Sequence, residues 1–256
     1  MLARDYSGFP LLIRTSVFDA LRPGSRADTG LWFEFLLAAR AQGVGVARIP
    51  ETLIAAQGPR AEASLAARRD VLEAMARRGR DSFAYREGRA AGTLSARRIF
   101  RDCPEVTLLI TTNQGKPPGG ARTHIENLLD SLARSTWPME KLRVLVADNH
   151  EDDTIYRGRR DAFALARAIT PIPPEGFNYA RNVNAVWRKV ETEHLVLMND
   201  DLTVVAPDWL EALMTFAVER DVGCVGARLL FPNGAIQHAG MFGSIFGTAA
   251  HPWYRK

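Results

Sequence analysis

Leu195-Val-Leu-Met-Asn-Asp-Asp-Leu-Thr-Val-Val205 is the stretch whose reading decides the fold. The apolar run Leu195 to Met198 is too short for a helix and reads as a buried strand. It stops at Asn199, Asp200 and Asp201. A second apolar run, Leu202 to Val205, follows, and Pro207-Asp208 opens a helix. Two carboxylates and an amide therefore stand at the end of a buried strand, where open α/β sheets hold their ligands. Hard oxygen donors in that place suit Mg2+ or Mn2+, and such an ion can hold a diphosphate. On their own, the same three residues also read as a polar turn between strands.

The flanking sequence repeats the pattern. Val106 to Thr112 has the composition of a buried strand. Asn113 to Gly120 is a Gly/Pro loop, and a helix follows with Ile125, Leu128, Leu129 and Leu132 on one face. Leu142 to Ala147 is a second strand, with Asp148-Asn149 at its end, and a third is expected at Ala168–Ile172. Asn178 to Val190 reads as a helix with Ala180, Val183, Val186, Trp187 and Val190 inward. Another helix is expected over Pro207–Glu219 and a strand over Val222–Phe231, with Asn233-Gly234 as a hairpin signal. Strands alternating with helices predict a mostly parallel α/β sheet over residues 105–256.

The N-terminal part differs. Residues 1–57 hold two strand candidates, Phe9–Ile13 and Val44–Ile49. Between them Leu31, Trp32, Phe35, Leu36 and Ala39 recur at helical spacing. Residues 58–104 read as a linker: an Ala/Arg/Leu-rich helix over Ala61–Arg78, then an extended connection without a clear period.

Composition excludes several classes. The chain has 256 residues, 46% hydrophobic and 24% charged, which is ordinary for a soluble globular protein of one large domain or two small ones. Cys103 and Cys224 match no metal spacing and read as reduced thiols of a cytosolic protein. The net charge of +4 sits largely in arginine pairs. Without interleaved aromatics, these read as solvated faces rather than a nucleic-acid surface. No apolar run reaches the length of a membrane span, and no signal-peptide pattern opens the chain. The glycines after the first strand form neither a G-x-G-x-x-G nor a P-loop. No G-x-S-x-G elbow is present.

Three strand ends carry polar groups: Thr111-Thr112-Asn113, Asp148-Asn149 and Asn199-Asp200-Asp201. In a parallel sheet they lie along one edge and can converge on one ligand. Asp148 could accept from a base or ribose, or cap a turn. Arg181 and Asn182 open a helix, where arginine suits a phosphate or stands exposed. His238, after the hairpin glycine, could meet a phosphate or an acceptor, or be structural.

These pieces together resemble the nucleotide-sugar half of glycosyltransferase family 2, the inverting transferases of the GT-A fold. They are Val106 to Asn113, Val146-Ala-Asp-Asn149, Phe177-Asn-Tyr-Ala-Arg-Asn182, Leu197-Met-Asn-Asp-Asp201 with Trp209, and Gly226 to Gly240. The last resembles bacterial enzymes of O-antigen and rhamnan-type polysaccharide synthesis. The resemblance implies that Thr112 and Asp148 hold the nucleoside and that Arg181, Asn182 and His238 line the donor pocket. It implies Asp201, with Asn199, as metal ligand, and Asp200 as contact to sugar or ribose with a catalytic role. It implies Mg2+ or Mn2+, a UDP- or dTDP-sugar donor, a glycan or lipid-linked glycan acceptor, and no nucleic acid. It implies a cytoplasmic protein, peripherally associated with the inner face of the membrane.

Two departures stand out. Gly115-Lys-Pro-Pro-Gly-Gly120 is an unusual first loop, and the family's acceptor half with its catalytic base is not visible before Lys256. Residues 9–57 resemble the acceptor half of a preceding unit, with Asp28 where that base would fall, or as a helix N-cap. The expected organisation is a fragment of a tandem transferase: an incomplete GT-A-like sheet, an N-terminal α/β remnant and a helical linker. A catalytically incomplete nucleotide-binding module and a nucleotidyltransferase are the alternatives.

Overall fold

A computed structural model describes residues 13–21, 31–45, 65–78, 82–88, 92–159, 162–172, 176–243, 249–250 and 254–255. The expected strand over Phe9–Ile13, most of Val44–Ile49, and Asp28 lie outside these residues. The chain divides into two compact units, Met1–Ile99 and Phe100–Lys256.

In the first unit, α1 (Thr15–Leu21) packs on α2 (Leu31–Ala41). The rings of Phe18 and Phe35 lie 5.6 Å apart, and Leu21, Phe35 and Ala39 are buried together. Leu37 joins α2 to Val71 of α3 (Leu65–Arg78).

Residues 81–102, expected as an extended connection, instead hold an antiparallel hairpin of β1 (Ser82–Glu87) and β2 (Leu94–Ile99). Its period was hidden because arginine stands in for an apolar residue. Phe83 pairs with Arg98, whose guanidinium carbon lies 4.9 Å from the Phe83 ring centroid, so a charged side chain covers the aromatic face. Arg68 ties α3 to the hairpin turn, donating from Nη2 to Gly92 O at 3.0 Å.

The second unit is built on β3 (Val106–Thr112), buried at all seven positions. It is central in a four-stranded parallel sheet of order β5-β4-β3-β6, with β4 at Leu142–Asp148, β5 at Ala164–Ile169 and β6 at His194–Asn199. The strand alternation divides two faces. Val106, Leu108 and Ile110 meet Ile125, Leu128, Leu129 and Leu132 of α4 (His124–Leu132), and Leu210 and Met214 of α6 (Trp209–Ala217). Leu109, Leu145 and Ala147 meet Val186 of α5 (Tyr179–Val186) on the other face. The expected α/β class and parallel sheet are found.

Local chemistry sets the helix starts. Thr123 caps α4 through a capping box: its hydroxyl accepts from Glu126 N–H, and Glu126 accepts from Thr123 N–H at 2.8 Å. These bonds hold the Glu126 carboxyl below its ordinary range, the backbone N–H contributing most. Asn178 caps α5 by a single bond, its side chain accepting from Arg181 N–H at 3.0 Å.

Several element bounds differ from expectation. The third strand lies earlier, at Ala164–Ile169, because Ala164 to Ile169 pair in register with Arg143 to Asp148. Past Val186, α5 tightens into a 3₁₀ turn, Trp187–Lys189, which leaves Trp187 exposed. Of Val222–Phe231, only β7 (Leu229–Leu230) is strand, paired with β8 (Ile236–His238) across the Asn233-Gly234 turn. Gly223 and Gly226 weaken strand formation before it, and Gly234 takes φ +85, a conformation that favours glycine. A last ladder joins β9 (Phe242–Gly243) and β10 (Ala249–Ala250).

Leu128 is fully buried between sheet and helix. Leu128→Ala is expected to cost about 2–5 kcal/mol through lost burial and a residual cavity. Chemical denaturation of the full chain would read this as a lower midpoint of the second unit's transition.

Candidate functional site

The parallel register brings the three polar strand ends together. Thr112 lies beside Asp148, and Thr111 beside Asn199. The Thr112 hydroxyl donates to Asp200 Oδ2 at 2.5 Å and accepts from Gln114 N–H at 2.9 Å. One buried hydroxyl thus joins the end of β3 to the residue after β6. Burial pushes the Asp200 carboxyl above its ordinary range; the Thr112 hydroxyl and His124, at the start of α4, oppose this. Asp201, next to it, is exposed.

Asp148 is the opposite case. It is 0% exposed and its carboxylate is fully engaged. Oδ2 accepts from the Tyr156 hydroxyl at 2.6 Å and from Gln114 Nε2 at 2.9 Å, while Oδ1 accepts from His150 N–H at 2.9 Å. Arg167 Nη1 lies 3.8 Å from Oδ2. The same guanidinium donates to Asp152 O at 2.6 Å and Glu151 O at 2.5 Å, and its carbon sits 5.4 Å from the Tyr156 ring centroid. Burial, then the neighbouring carboxylate, pushes the Tyr156 phenol far above its ordinary range, so it remains a donor.

A second set of bonds ties α5 to this edge. Asn149 donates from its backbone to Thr112 O at 3.2 Å, and its side-chain amide donates to Thr170 O. Its Oδ1 accepts from Asn182 Nδ2 at 3.3 Å, and Asn182 is buried. His150 Nε2 reaches Asn113 O at 3.1 Å, joining the loops after β3 and β4.

The structure therefore gathers Thr112, Asp148, Asn182, Asn199 and Asp200 at one sheet edge. Arg181 is exposed in the first turn of α5. His238 lies on β8, paired with Leu229 in a separate ladder. Asp28 lies outside the described residues. Gln114, His150, Tyr156 and Arg167 were not anticipated from sequence. The spacing Asp148-x-His150, which suits an Asx turn, was the one available signal; the other three meet Asp148 only through the fold.

Among the described residues, no three His, Cys, Asp or Glu side chains group to hold a metal ion. Asn199, Asp200 and Asp201 nevertheless fit Mg2+ or Mn2+. Such ions commonly take one or two protein carboxylates and complete their shell with phosphate oxygens and water. Asp200, held above its ordinary range by burial, gains from a cation beside it.

The acidic and amide groups of this α/β domain stand at the carboxyl ends of parallel strands, where open α/β sheets bind their ligands. Residues 120–241 match the family model for glycosyl transferase family 2, the family that the sequence resembles. The chain is 30% identical to the O-antigen biosynthesis protein RfbC of Myxococcus xanthus over 214 residues, 78% of this chain and 16% of that protein. It is 45% identical over 75 residues to the uncharacterized protein y4gI of Sinorhizobium fredii, 29% of this chain and 8% of that protein. The chain thus spans a small part of the curated relatives it matches. Among solved structures, it is similar to the mannosyltransferase PcManGT from Pyrobaculum calidifontis, in complex with GDP-Man and Mn2+. The TM-score is 0.41 and the identity 24%, covering 50% of this chain and 37% of that one. It is also similar to S. aureus TarS in complex with UDP-GlcNAc, with a TM-score of 0.36 and 21% identity over 44% of this chain and 31% of that one. No helix among the described residues is long and apolar enough to cross a membrane.

Tyr156→Phe removes one donor from a buried carboxylate without changing shape. The expected cost is about 1–3 kcal/mol of stability, read by chemical denaturation. An unchanged midpoint would show that the hydroxyl does not support Asp148.

Proposed function

We propose that residues 105–256 bind a nucleoside-diphosphate sugar with Mg2+ or Mn2+ at the carboxyl edge of the sheet. In this reading they form the donor half of an inverting glycosyltransferase of bacterial surface-polysaccharide synthesis. The observation that carries this is the Thr112–Asp200 hydrogen bond, which joins the β3 end to the acidic turn after β6. The family 2 match and the similarity to an O-antigen biosynthesis protein support the reaction class and the setting. The donor is a UDP- or dTDP-sugar and the acceptor a glycan or lipid-linked glycan.

The chain's residues divide the work. Asp201, exposed beside Asp200, and Asn199 offer the oxygens that would hold the ion. Asp200, its Oδ2 held by Thr112, would contact the sugar or ribose through Oδ1. Arg181, in the first turn of α5, would meet a diphosphate oxygen, where bidentate bonding and the helix dipole act together. A bound divalent ion supplies charge neutralisation of the leaving diphosphate. Deprotonation of the acceptor hydroxyl needs a base, which belongs to the acceptor half.

Calorimetry of UDP and dTDP with the full chain tests this. Binding in the presence of Mn2+ is expected to weaken by about tenfold or more with EDTA, a loss of about 1.4 kcal/mol per factor of ten. Asp201→Ala is expected to weaken it similarly and to abolish the metal dependence. Binding that is indifferent to both metal and Asp201 contradicts the assignment.

A further inference from the structure

We propose that the open face of the β1–β2 hairpin, with the arginines of α3 beside it, docks the chain on an anionic phospholipid surface. This goes beyond the donor-site reading and does not depend on it, because every residue involved lies in the first unit.

Charge is spread unevenly along the chain. Residues 65–99 hold nine arginines, no lysine and four carboxylates, a net +5, and all other residues together sum to −1. The arginine pairs at 68–69, 77–78 and 97–98 all fall in this stretch. The fold gathers them, because α3 packs on β1 and Arg68 donates from Nη2 to Gly92 O at the hairpin turn.

The pairing register sorts the hairpin into two faces. Phe83, Tyr85, Leu94 and Arg98 share one of them, and this face is turned toward α3. Leu94 is buried, and the Arg98 guanidinium covers the Phe83 ring. Burial, then the Glu73 carboxylate of α3, pushes the Tyr85 phenol above its ordinary range. Ser82, Ala84, Arg86, Ser95, Arg97 and Ile99 share the other face. It holds two arginines and no carboxylate. Arg86 and Ile99 are exposed on it, Ile99 by 52%. Arg97 lies along its own strand, Nη1 donating to Ser95 Oγ at 3.4 Å, and Ser95 pairs with Arg86. On α3, the Arg77 side chain is 70% exposed.

The chemistry of this face selects its partner. Guanidinium groups bind phosphate oxygens through paired N–H donors and keep their charge at any physiological pH. Clustered arginines are drawn to an anionic leaflet by its surface potential. An exposed isoleucine among them adds an apolar contact that the boundary between headgroups and acyl chains can take up. A single-stranded nucleic acid needs open aromatic faces for its bases, whereas Phe83 and Tyr85 are committed to the inward side of the hairpin. A bilayer needs no such platform.

Co-sedimentation of the full chain with lipid vesicles tests this. Vesicles of phosphatidylcholine with about a third phosphatidylglycerol are expected to bind it about tenfold more tightly than phosphatidylcholine alone. The gain is expected to vanish in about 0.5 M salt. Arg86→Gln combined with Arg97→Gln is expected to lose about tenfold in affinity for the anionic vesicles, and Arg86→Gln alone, at an exposed position, about threefold. Arg188→Gln combined with Lys189→Gln removes the same charge from exposed positions of the second unit. That variant is expected to stay within about twofold of wild type. Circular dichroism checks that each variant is folded, and the single variant decides the matter where the double one is not. Equal binding to the two kinds of vesicle overturns the proposal, as does an equal loss in the two double variants. Wild-type binding by a folded Arg86→Gln chain overturns it too. Binding to a duplex oligonucleotide as tight as to the anionic vesicles assigns the charge to nucleic acid and likewise overturns it.

Discussion

The ligand edge depends on one buried carboxylate. Asp148 ends β4 with no exposed surface, in a sheet interior where an unpaired charge would cost several kcal/mol. It is stable there because three donors and one nearby cation converge on it: Gln114 after β3, His150 in its own turn and Tyr156 beyond that turn donate, and the Arg167 guanidinium from β5 lies 3.8 Å away. Each donor brings its own segment to the edge. Arg167 also holds the carbonyls of Glu151 and Asp152, so the loop after β4 is fixed by the residue that balances the carboxylate. A fully satisfied buried network of this kind specifies one arrangement.

Asp200 contrasts with it at the same edge. Its environment raises the carboxyl, and the Thr112 hydroxyl is its described side-chain hydrogen-bond donor. Asp201 beside it is exposed. One aspartate is thus a closed structural hub, and the pair after β6 is the more open of the two, with Asp200 partly buried and Asp201 exposed. Thr112 couples the two, because its hydroxyl serves Asp200 while accepting from the backbone of Gln114, whose side chain rests on Asp148.

The sequence made the sheet legible where burial governs it. The apolar runs of β3 and β4, and the helix stripe of Ile125, Leu128, Leu129 and Leu132, follow directly from period and composition. β6 is a strand as expected but not a buried one: it lies at the sheet edge, with Leu195 and Leu197 exposed and Met198 buried. It was least legible where arginine does the work of packing. Arg98 covers Phe83 and hid the hairpin; Arg167 stands inside β5 and interrupts its apolar run. The candidate site divides in the same way. Thr112, Asp148 and Asp200 were visible as polar strand ends, since a parallel sheet must set them side by side. Gln114, Tyr156 and Arg167 were not, because nothing in their local sequence points to Asp148. The left-handed backbone at Gln114 has no glycine to announce it. The burial and bonding of Asp148 are properties of the fold.

The central claim is that the ends of β3 and β6 form one metal-nucleotide site. Amide NMR of the full chain with UDP and substoichiometric Mn2+ tests it most directly, because the paramagnetic ion broadens nearby resonances. The account predicts the strongest broadening at residues 111–114 and 199–202 and at the start of α4, and much weaker broadening at the opposite ends of the same strands, Val106, Leu142 and His194. Broadening centred on those opposite ends, or spread over the second unit with no focus at the carboxyl strand ends, would contradict it.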